Sequence, residues 1–85
     1  MGVRFVLKES ILDVLKLEST NEFVVKCDVR PNTIYAMTHN ATKRVEIENL
    51  NKIIHTLNLI AATKGIDRTF TLEDVMIWED ERGNK

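Results

Sequence analysis

Arg30, Pro31, Asn32, Thr33, Tyr35, Ala36, His39, Lys43 and Arg44 fall between Val29 and Arg44, a stretch with three formal positive charges and no acid. Amides, hydroxyls and cations gathered this closely can hydrogen-bond to base edges and phosphates. No other chemistry is as well provided for. His39 and His55 lie in different predicted elements, and neither sits in a ligand-spaced motif of the kind a zinc site needs. There is no glycine-rich phosphate loop and no nucleophile–base motif. The expectation is therefore a protein that is not an enzyme, with no cofactor and no metal.

A short helix over Pro31–His39 would position these side chains. Proline suits a first helical position, where its missing N–H would be unpaired anyway. Ile34 and Met37 lie three apart and share a face that can turn toward a core. Asn32, Tyr35, Ala36 and His39 fall on the other side. His39-Asn40 is the expected stop, because Asn tolerates the left-handed conformation at a helix end. Arg30 is an unusual N-cap, which points to another use for its charge. A solvated surface helix with no partner is the bland alternative.

The 85 residues are expected to form one small domain, residues 1–85, with 44% apolar and 29% charged residues. A chain this size buries roughly 60% of its unfolded surface, so its stability is modest. Three Gly and one Pro favour helices over a sandwich. No apolar run approaches a membrane span, and no secretory leader is evident. Cys27, the only cysteine, forms no intrachain disulfide, which suits a reducing cytoplasm, and is expected to be a small core hydrophobe. The net charge of −1 argues against bulk attraction to nucleic acid. The charge is uneven, however. Acid collects at Glu73, Asp74, Glu79, Asp80 and Glu81, while Lys26, Arg30, Lys43, Arg44 and Lys52 make the middle mildly basic.

Along the chain, Val3, Phe5 and Leu7 alternate as in a short strand. Ile11, Leu12 and Leu15 take helical spacing, with Ser10 and Asp13 as a weak capping box. Glu18-Ser19-Thr20-Asn21 offers caps for a second helix over Glu22–Asp28, with Phe23, Val24 and Cys27 facing inward. The Pro31 helix is expected one or two residues later, a join that forces a steep crossing. Ile47, Leu50, Ile53, Ile54 and Leu57 predict a fourth helix from Ile47 into the low sixties, ended at Lys64-Gly65. Ile66 to Phe70 reads as a connector, and Thr71-Leu72-Glu73-Asp74 as a capping box opening a single turn. Val75 to Glu79 alternates again, with Val75 and Ile77 on one side and Met76 and Trp78 on the other.

Phe23-Val24-Val25-Lys26-Cys27-Asp28-Val29 can be laid on a Leu-Ala-x-x-Thr-Gly-Val pattern. Thr33-Ile34-Tyr35-Ala36-Met37-Thr38-His39-Asn40 fills Thr-Ile-Ser-x-Ile followed by a polar pair and Gly. Lys43-Arg44 matches a basic loop after it, and Leu50, Ile53 and Leu57 fit Leu-x-x-Ile-x-x-x-Leu. In this order the segments resemble the lambda-repressor-like (Cro-type) helix-turn-helix DNA-binding domains, in the small-regulator branch of bacteria and phages. The resemblance covers about Leu7 to Leu57, with Leu72 to Asp80 similar to the short final segment. The pattern's small Ala is Val24 here, and its two Gly are Asp28 and Asn40, the residues next most tolerant of positive φ. Leu59 to Phe70 makes a longer link than the pattern has. The implied fold is mainly α: a helix-turn-helix bundle of four to five helices with short N- and C-terminal β-strands.

That resemblance implies roles. The third helix would enter the major groove with Pro31, Asn32, Tyr35 and Ala36 toward the bases, and Asn32 would pair bidentately with adenine. Arg30, Thr33, Lys43 and Arg44 would meet phosphates, as would the helix start at Thr20 and Asn21. The expected function is sequence-specific binding of double-stranded DNA by a cytoplasmic transcriptional regulator, most simply a repressor. The alternative is a protein-interaction module, an anti-repressor or toxin partner, that reuses the fold without DNA. The net acidity, Asp28 and the acidic tail favour that alternative. A homodimer through the terminal strands is also expected, with Val3, Phe5, Val75, Ile77 and Trp78 at its interface, and a protein regulator is a further conceivable partner.

Overall fold

Alternation at Val3 and Phe5 builds β1 (Gly2–Phe5), which pairs antiparallel with β2 (Met76–Glu79), Phe5 opposite Met76 and Val3 opposite Trp78. The first and last described segments thus close on each other. The computed structural model describes residues 2–39, 41–42 and 44–79. Asn40, Lys43, Asp80 and Glu81, all invoked above, lie outside the described residues.

Between the strands run α1 (Leu7–Glu9), a π-helical segment (Ser10–Val14), α2 (Thr20–Lys26), α3 (Pro31–Thr38), α4 (Ile47–Thr63) and a 3₁₀ turn (Leu72–Asp74). The described residues are therefore mainly helical, with one small two-stranded sheet. Among them, no helix is long and apolar enough to cross a membrane.

The first helix departs from the expectation. Leu7 is not a strand residue. Val6 turns the backbone (φ −117, ψ 16), and Leu7 opens α1 fully buried. Leu7, Ile11 and Leu15 then recur at four-residue spacing, all with no exposure. Ser10 caps nothing. It is buried, and its hydroxyl donates to the Asp74 carbonyl at 2.7 Å, tying this helix to the 3₁₀ turn. The helix ends on Lys16, whose φ is +61. A side chain in the left-handed region costs roughly 1–2 kcal/mol, partly offset for glycine by its freer unfolded state. Lys16→Gly is therefore expected to stabilise the domain by roughly 0.5–1 kcal/mol. A lower urea midpoint for the variant would contradict this account of Lys16.

Helices α3 and α4 follow the sequence closely, whereas α2 starts and ends two residues earlier than expected, at Thr20 and Lys26 rather than Glu22 and Asp28. Thr20 and Asn21 are thus helical residues instead of caps. Phe23, Val24 and Cys27 face inward from α2 and its end, Ile34 and Met37 from α3, and Ile53 and Leu57 from α4. Ile47, the first residue of α4, is the exception in the stripe at 74% exposed, while Leu50 one turn on already packs against the core. The link between α2 and α3 is four residues, 27–30, rather than one or two. Asp28 is not at positive φ. Cys27 leaves α2 extended (φ −103, ψ 135), so the longer link turns the chain without a left-handed residue. Gly65, at φ +73, does end α4 in the left-handed region, as expected.

The terminal strands pair with each other, and two of the five expected interface residues are not available to a second copy. Phe5 and Val75 are buried in the core, because β1 and the residue before β2 lie directly against the helices. Val3 and Trp78 sit on the same face of the sheet as Phe5 and Met76 but farther along it, at 59% and 62% exposed.

Candidate nucleic-acid interface

α3 begins where the sequence places it. Pro31 is its first residue, and the Arg30 carbonyl accepts from the N–H groups of Thr33 (3.0 Å) and Ile34 (3.3 Å). Arg30 contributes no side-chain cap, so its guanidinium is not committed to the helix. Ile34 and Met37 hold the helix from behind with no exposure at all. Pro31, Asn32 and His39 are exposed on its other side, and Tyr35 and Ala36 are half-buried.

The start of α2 lies beside this exposed face. The Tyr35 hydroxyl donates to Asn21 Oδ1 at 3.2 Å, joining two residues fourteen apart in sequence. Asn21 is exposed and Thr20 half-buried. Nothing local in the sequence foretells this pairing. At the far end of α3 the Tyr35 carbonyl gathers Thr38 Oγ1 at 2.9 Å and His39 Nδ1 at 2.7 Å. A carbonyl can only accept, so Nδ1 carries the proton in that contact and Nε2 is the ring's remaining site.

Arg30 and Thr33 face a different direction from Asn32. With Glu46 and Asn49 at the start of α4 they line a polar cleft of about 430 Å³. Sequence reasoning assigned Arg30 and Thr33 to phosphates but missed Asn49 and Glu46. Their three-residue spacing across the α4 start was the available signal. Arg44 is exposed, and Lys43 lies outside the described residues.

Asp28, the acid expected near this side, is 96% exposed and pairs with Lys52 of α4 at 3.7 Å. An exposed pair at this distance contributes little to stability. Its consequence is to place a cation beside the acid. Cys27 is buried next to it, and burial, aided by the Asp28 charge, pushes its thiol up despite opposing effects of Thr56 and Lys52. A thiol held neutral behaves as a small core group, the role expected for it. Among the described residues, no three His, Cys, Asp or Glu side chains come together to hold a metal ion.

Fold and surface define a class: a small, mainly helical domain, closed by a terminal two-stranded sheet, that presents a short polar helix on an apolar base. No protein-family model, curated protein or solved structure matches this chain.

Proposed function

We propose that this domain binds duplex DNA through α3 as a helix-turn-helix regulator of the lambda-repressor-like (Cro) type, and that it represses transcription by occupying its site. One observation carries the reading. The two fully buried residues of α3 fix the helix from behind, while the Tyr35–Asn21 hydrogen bond sets the start of α2 beside its exposed side. A polar helix braced in this way can approach a groove as a rigid unit, with the neighbouring helix start at the backbone. The four-residue link also suits a helix-turn-helix, which commonly uses three or four.

The alternative, a protein-interaction module, draws on Glu46 in the Arg30 cleft and on the exposed Asp28. Both acids lie near the candidate surface, but Asp28 has Lys52 as counter-charge. Selection of bound sequences from random duplexes decides between the two. DNA binding predicts enrichment of a defined sequence, and unchanged pools at moderate salt would leave only the interaction module.

Salt gives a second expected result. The slope of log K against log salt is about −0.9 per phosphate contact. Few cations border α3, so the slope is shallow. Lys43→Ala and Arg44→Ala each reduce it by about one and weaken all sequences alike. A loss confined to one base pair would instead make these residues readers of sequence.

A further inference from the structure

We propose that the cleft between α2 and the C-terminal half of α4 is the docking surface for a second copy of this chain, related by a two-fold axis. The cleft has a volume of about 480 Å³ and a mainly apolar lining, with Leu17 and Ile60 buried at its floor. Leu59, also on its wall, is 56% exposed. A hole and an apolar projection therefore share one face. An apolar concavity rimmed by charged side chains, here Glu22, Lys26 and Lys64, marks an interaction surface.

The charges around the cleft point to a copy of the same chain as the occupant. Glu22 stands on one wall, with Lys26 and Lys64 also lining the cleft. The Glu22 carboxylate is fixed in place by accepting the Glu18 N–H at 2.6 Å. Among the described residues neither lysine has an acidic partner. A two-fold interface must be self-complementary: whatever one copy offers, the other must receive, and the reverse. This face meets that condition twice over. Leu59 can enter the partner's cleft while receiving the partner's Leu59, and Glu22 can face the lysines across the axis while the lysines face the partner's Glu22. No residue of α3 lines the cleft, so docking there leaves the α3 face free.

Sedimentation equilibrium of the full chain, without DNA, tests this from about 1 μM to about 1 mM. The expected mass rises toward twice the 9.8 kDa of one chain. Leu59→Asp should weaken the dimer by about 100-fold or more, as burying a carboxylate at the centre of an interface does. Trp78→Ser, at the exposed end of the sheet, should change it little. Lys64→Glu and Glu22→Lys should each weaken self-association by roughly tenfold. An equimolar mixture of those two variants should recover it, since each then meets opposite charge, and circular dichroism checks that both are folded. A monomer throughout the range overturns the proposal. So does a dimer that survives Leu59→Asp but disperses with Trp78→Ser, which would place the contact on the sheet, and so does a mixture that fails to recover. Because DNA is absent, failure here leaves the α3 reading standing, and failure of the sequence selection leaves the dimer standing.

Discussion

Replacing Asn58 with leucine lowers the unfolding free energy by roughly 2–4 kcal/mol. The half-buried Asn58 side chain works as a two-pronged clamp. Its Oδ1 accepts the Phe70 N–H at 2.6 Å, and its Nδ2 donates to the Phe70 carbonyl at 3.1 Å. Phe70 is almost fully buried, so leucine would strand two of its backbone groups away from water. The loss then spreads along the chain. Arg68 packs over the Phe70 ring at 5.0 Å and pairs with the Asp74 carboxylate, which also accepts the Thr71 N–H at 2.9 Å. The Asp74 carbonyl in turn receives Ser10. The clamp thus fixes the connector that carries β2 back to β1. Urea unfolding measures the effect, with Asn51→Ala, at an exposed position on the same helix, expected within about 0.5 kcal/mol of wild type. Equal midpoints for the two variants would mean that the connector is held by Phe70 packing alone.

What the sequence made legible is what local spacing controls. Pro31, with Ile34 and Met37 three apart, announced α3 to within a residue, since a helix start and a buried stripe are both short-range features. The long stripe of α4 and Gly65 fixed that helix at both ends. Thr71 to Asp74 formed its capping box where four residues alone suggested it. Each of these depends on neighbours within one or two turns.

What escaped depends on partners far along the chain. Phe70 reads as part of a connector, because its anchor Asn58 is twelve residues away. Ser10 reads as a cap, because Asp74 is sixty-four residues away. Alternation in the terminal segments marks two faces but not which face meets the core. Phe5 and Val75 looked available to a second copy and instead close the interior. At the candidate interface, Tyr35 was legible as an aromatic on the outer side of α3, while its half-burial and its bond to Asn21 were not. The direction of Arg30 and Thr33, into a cleft with Glu46 and Asn49, follows from the start of α4 lying beside the start of α3. No spacing within either segment encodes that approach.

The same geometry ranks the side chains that would read DNA. Asn32→Ala is expected to weaken binding to the selected site by roughly 1–3 kcal/mol, about 5- to 150-fold, with the loss concentrated at one base pair. Asn32 is exposed on the second residue of α3 and makes no side-chain hydrogen bond among the described residues, so its amide is free for a bidentate contact. Tyr35 stands differently. Its hydroxyl is engaged with Asn21, and a base contact would have to replace that bond. Tyr35→Phe keeps the ring and removes the tie, so it should cost only about 0.5–1.5 kcal/mol and act on all sequences alike. The contrast carries the test, because a helix used merely as a solvated face would show neither effect. Titrating each variant against the selected duplex, and against duplexes altered one base pair at a time, separates the two patterns. Wild-type affinity from both Asn32→Ala and Tyr35→Phe, with an unchanged sequence preference, would remove α3 from the groove and return this surface to a protein partner.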